Sequence, residues 1–86
     1  MTLPALNATA EIDSICRQLV AGIEAAKPSP EDMLDLQPPR RLALELLMAL
    51  GLVANVCMGG RSRLAVTSAC KALLASGAWA SVFVVA

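Results

Sequence analysis

The sequence predicts an all-α protein, a small three- to four-helix bundle completed by self-association. Three observations carry that expectation. Apolar residues recur at helical spacing over 12–23. Capping residues, prolines and glycines fall where helices start and stop. The stretch LELLMALGLVANVCMGG, residues 44–60, is apolar on every side of a helix rather than along one stripe.

Residues 1–6 read as a frayed lead-in. The first helix, 9–26, places Ile12, Ile15, Cys16, Leu19, Val20 and Ile23 on one face, with Asp13, Arg17, Gln18 and Glu24 opposite. Thr9 or Asn7 can cap its start, and Glu11 suits the positive end of the dipole. A short connector helix is expected over 30–36, with Ser29 as N-cap, Pro30 at the first helical position and Glu31 and Asp32 in the first turn. It ends before Pro38, because the residue preceding a proline avoids the helical region.

The third helix is expected over 39–58 and the fourth over 63–76, separated by Gly59 and Gly60, with Ser62 as the second cap. Arg40 and Arg41 lie in the first turn of the third helix, where the dipole disfavours them. They are therefore expected to answer the acids at 31–35, in the same chain or in a second copy. The tail 78–86 is either a packed helical continuation or a strand that pairs with its twin from another subunit. Its run 82–85 has strand propensity, but the sequence offers no second strand candidate.

Eighty-six residues make one domain. A chain of that length buries only about 60–65 % of the surface it exposes when unfolded. Yet 57 % of its residues are apolar, against roughly 45–50 % in soluble domains. The third helix must be surrounded, and two flanking helices leave part of it uncovered. Each large aliphatic side chain left in water forgoes about 1.5–3 kcal/mol. Leu44, Leu47, Met48, Leu52 and Val56, with Trp79 and Phe83 of the tail, are accordingly the candidate interface, and Leu47 and Leu52 the residues whose replacement by Asp would break it. The expected partner is a second copy, as a homodimer or higher oligomer, or an unidentified protein.

Charge is split along the chain. Residues 1–39 hold six acids and two bases; residues 40–86 hold five bases and one acid. Attraction within the fold or between copies accounts for that split. Five basic residues among so many aliphatics make a thin footprint for nucleic acid, which ranks well behind protein. A membrane hairpin of segments 42–60 and 64–86 is the main alternative. Each uncharged run, 46–60 and 72–86, is 15 residues long. As a helix it would span roughly 22 Å, against a hydrocarbon core of about 30 Å. Basic residues flank both sides of the first segment, so charge sets no orientation.

There is no His and no Tyr. That excludes Ser–His–Asp and Cys–His machinery and any zinc site that uses His. Cys16, Cys57 and Cys70 show no C-x-x-C spacing and are expected as buried, inert thiols on packed helical faces. The sequence predicts no enzyme, no cofactor and no metal site. The one site-like element is MGGRSR: Gly59, Gly60, Arg61, Ser62 and Arg63 could hold a phosphate or carboxylate at a helix N-terminus. Its spacing matches neither a P-loop nor G-x-G-x-x-G, and Asn55 spoils a helix-turn-helix reading of the same region. An odd cysteine count and no visible signal peptide favour a reducing, cytoplasmic setting, with the membrane as alternative; the sequon at Asn7 then carries no glycan and serves helix-start chemistry instead.

Overall fold

The computed structural model describes residues 6–8 and 10–85. The order is β1 (Leu6–Ala8), α1 (Ala10–Ala26), a 3-10 turn (Pro30–Met33), α2 (Arg40–Ala49), β2 (Val53–Met58), β3 (Arg61–Val66), α3 (Ser68–Ala75), α4 (Trp79–Val82) and β4 (Phe83–Val85). This is a mixed α+β fold, and it overturns the all-α bundle.

The first half follows the expected plan. α1 buries Cys16, Leu19, Val20 and Ile23 along the stripe, with Ile12 and Ile15 packed beside them. Thr9, its expected cap, lies outside the described residues. Ser29 caps the 3-10 turn by accepting from the Asp32 backbone N–H while the Asp32 carboxylate accepts from the Ser29 N–H, a reciprocal capping box. The turn stops at Met33, short of the expected 36, and Leu34 is left in water at 64 % exposure.

The expected helix 39–58 ends at Ala49, and Gly51 is the reason. It sits at φ 73°. Its N–H donates to Met48 O at 3.1 Å, and the Leu52 N–H reaches back to Leu47 O at 2.9 Å. Those two bonds are a Schellman termination, and the accompanying apolar contact partners, Leu47 and Leu52, are both buried. The chain then leaves as a strand. Gly59 and Gly60, at φ 58° and 78°, form a two-residue hairpin turn instead of a helix stop. β2 and β3 pair antiparallel from Met58↔Arg61 down to Val53↔Val66 without a bulge.

The expected helix 63–76 is likewise half strand. Its helical part starts at Ser68, and Thr67, not Ser62, is the cap: the Thr67 hydroxyl accepts from the Cys70 N–H and donates to Gly51 O at 2.7 Å. One threonine thus ties the start of α3 to the Schellman glycine that ends α2.

The tail is both helix and strand, and its partner lies in the same chain. β4 pairs parallel with β1, Leu6↔Phe83 through Ala8↔Val85, so Leu6 is not a frayed lead-in. Residues 1–5 and Ala86 lie outside the described residues. Trp79 anchors the tail on α1. Its Nε1–H donates to Asp13 Oδ1 at 2.7 Å, its ring stacks on Phe83 with centroids 4.5 Å apart, and Arg17 lies 5.1 Å above it while pairing with Asp13. Trp79 and Phe83 are 2 % and 1 % exposed, so both belong to the core of the single chain.

The core is one cluster. It joins the α1 stripe to Ala43, Leu44 and Leu47 of α2, Leu52, Val53, Leu64 and Val66 of the hairpin base, Cys70, Trp79 and Phe83. No helix among the described residues is long and apolar enough to cross a membrane; the runs meant for a membrane hairpin are divided among short helices, strands and glycine turns.

Candidate interaction surface: the β2–β3 hairpin

Burial falls off along the hairpin. At the base, Val53, Leu64 and Val66 are buried; beyond them Asn55, Val56, Cys57, Met58, Gly59, Gly60, Arg61 and Ser62 are all exposed. A two-residue turn makes Met58 and Arg61 a hydrogen-bonded pair, and the pairing alternates from there. Ala54, Val56 and Met58 therefore direct their backbone groups at β3. Val53, Asn55 and Cys57 direct theirs away from it. The same alternation turns Ser62, Leu64 and Val66 outward on β3, and the Leu64 N–H is indeed taken by Pro28 O at 2.8 Å.

The two edges differ in kind. β3 is covered at Leu64 by residue 28 and carries Arg61 and Arg63. β2, with the sequence VANVCM, has no charge, no proline and no bulge, and no strand lies on its outer side among the described residues. Edge strands are commonly guarded by charged side chains, proline or bulges, because an open row of N–H and C=O groups templates further pairing. β2 has none of these guards. Its outward-facing apolar side chains, Val56 and Met58, are 37 % and 45 % exposed.

The residues singled out in the sequence separate accordingly. Leu44, Leu47, Leu52, Trp79 and Phe83 lie in the core of the single chain, and Met48 and Val56 lie on the surface. Gly59 and Gly60 make the hairpin turn, and Arg61, Ser62 and Arg63 belong to β3, so no helix N-terminus or its dipole stands behind them. Arg61, Ser62 and Arg63 share an open groove with Ser29, Glu31, Asp32 and Asn55. The two carboxylates there oppose a free anion.

Arg40 and Arg41 do not pair with the acids at 31–35 in the same chain, among the described residues. Arg41 donates to Leu34 O at 3.3 Å and lies 3.8 Å from Glu45. Among the described residues, the ion pair that joins the acidic and basic halves is Lys71–Glu24, at 3.4 Å.

The thiols also divide. Cys16 and Cys70 are fully buried, whereas Cys57 is exposed on the hairpin and is not the packed helical residue expected. Burial, with a smaller push from the Asp13 carboxylate, raises the Cys16 thiol to about 11. Burial and then Glu24 raise Cys70 as well. Under native conditions Cys57 alone should alkylate quickly, and Cys16 and Cys70 only after denaturation. The same shifts predict a pH effect. The unfolded thiols ionise near 9, the folded ones higher, so above pH 9 the folded state holds more protons. Stability is then lost as pH rises from 9 through about 11. Urea melts at pH 8 and pH 10.5 measure it; equal midpoints would contradict the burial of these thiols.

No protein-family profile, curated protein or solved structure matches this chain.

Proposed function

We propose that this is a non-enzymatic protein that works by protein–protein association, and that the β2 edge of the hairpin is its binding surface. The observation that carries the reading is the contrast between the two strands of one hairpin: β3 is charged and is covered at Leu64, and β2 is uncharged, without proline or bulge, and carries no strand on its outer side among the described residues. Strand addition to such an edge supplies backbone hydrogen bonds for affinity and alternate side chains for specificity. A sequence with no His and no Tyr, and cysteines that are scattered and mostly buried, offers little for catalysis to use.

This reading relocates the surface expected from sequence. Leu44 and Leu47 of α2 hold the chain together, and the hairpin does the binding. A photoreactive phenylalanine analogue placed at Val56 and activated in the cell tests it. Discrete adducts to protein, of this chain or another, are expected at Val56 and not at the exposed helical position Ala25. A Val56 probe that captures no protein, or labels as diffusely as the Ala25 probe, would overturn the reading.

A further inference from the structure

The edge of β2 is self-complementary, and from that we infer its occupant: a second copy of this chain, added antiparallel, β2 against β2, about a two-fold axis at Val56. The inference rests on the reading just given and makes it specific. Asn55 and Cys57 are the exposed residues whose backbone groups face away from β3. With the axis at Val56, Asn55 of each copy lies opposite Cys57 of the other, and each pair exchanges two N–H···O bonds, four in all. Val56 meets its own counterpart in the close, non-hydrogen-bonded position, where Cα atoms approach to about 4.5 Å. The arrangement is isologous, the commonest kind of protein dimer.

Charge permits this partner. The chain has no net charge and β2 carries none, so two copies approach without net repulsion and no like charges meet across the new pairing. Arg63, opposite Val56 on β3, lies in the same row as its counterpart, three strand spacings away. At about 4.8 Å each that is roughly 14 Å, beyond the ~8 Å screening length of physiological salt. On the outer face, Met58 of one copy falls opposite Ala54 of the other, beside the Val56 pair. Val56 and Met58, exposed in the single chain, thereby come to the middle of a four-stranded sheet.

An edge-to-edge contact of this size sits below the ~1,200–2,000 Å² of a standard interface, so association in roughly the micromolar range or weaker is expected. The test is a cysteine scan of purified protein at several hundred micromolar under mild oxidation. Val56→Cys in a Cys57→Ser background should give a disulfide-linked dimer several-fold faster than Asn55→Cys in the same background, or than Cys57 in the native chain. Melting curves matching the parent establish that each variant is folded. Faster linkage at 55 or 57 would overturn the axis. A folded Val56→Cys variant that stays uncrosslinked, with the native chain at single-chain mass throughout, would overturn self-pairing. In that event photo-adducts to a different protein at Val56 would leave the association reading standing, and their absence would end both.

Discussion

Replacing Leu47 by Asp is expected to unfold the chain rather than to dissociate an assembly. Leu47 is fully buried, and its carbonyl accepts the Leu52 N–H that closes the Schellman turn. It packs in the cluster that also holds Leu44, Leu52 and Val53, and among the described residues no buried polar or charged residue offers a new carboxylate a partner. Losing the leucine costs about 2–5 kcal/mol, and an unpaired buried carboxylate adds several more. Typical stabilities are about 5–15 kcal/mol, and a domain of this size has little in reserve. Circular dichroism at 25 °C should lose its helical signal. A variant that kept its helix content and changed only its mass in solution would place Leu47 at an interface after all.

α1 was legible because its stripe repeats at helical period through about three turns, and the 3-10 turn because Ser29, Pro30 and Asp32 are local signals. The region 44–66 was not. LELLMALGLVANVCM is apolar nearly throughout, so neither the period of a helix nor the alternation of a strand stands out, and a continuous apolar run fits both. The discriminating signals were Gly51 and the pair Gly59-Gly60. Gly51 reads as a tolerated helical glycine until its positive φ and the bonds around it are seen. The two later glycines, between two six-residue segments, suit a tight hairpin as well as a helix stop. The pairing of β4 with β1 was out of reach for a different reason. It joins residues near opposite ends of the chain, and no local pattern reports such a contact.

Of the candidate site, the surface residues Val56 and Met48 and the positive-φ glycines Gly59 and Gly60 were among the expected residues, but their place in the fold differs. The strand edge was invisible without the register, because which N–H groups face outward depends on the turn that sets the pairing. Cys57 illustrates this. On a helix it would share the packed face of its neighbours; on β2 it sits at the distal, exposed end.

The second large effect follows from that register. Asn55→Pro removes an N–H that faces away from β3, so the β2–β3 ladder keeps all its bonds, and an edge strand accommodates proline at such a position. Val56→Pro would instead delete a bond within the hairpin. Asn55→Pro should therefore leave the melting temperature close to that of the native chain while lowering self-association at least tenfold, since it deletes the N–H of residue 55 in each copy and sets a proline ring against the incoming strand. Val56→Pro should destabilise the fold itself.

A second copy of this chain seated on the unguarded edge of β2 is what light scattering coupled to size exclusion reads, run from about 10 to 500 μM on the native chain and on Asn55→Pro, over the concentrations at which weak interfaces form. The native mass should climb from 8.9 kDa toward twice that value, with the variant remaining at the single-chain mass. Two identical mass profiles, whether both single or both paired, would contradict it.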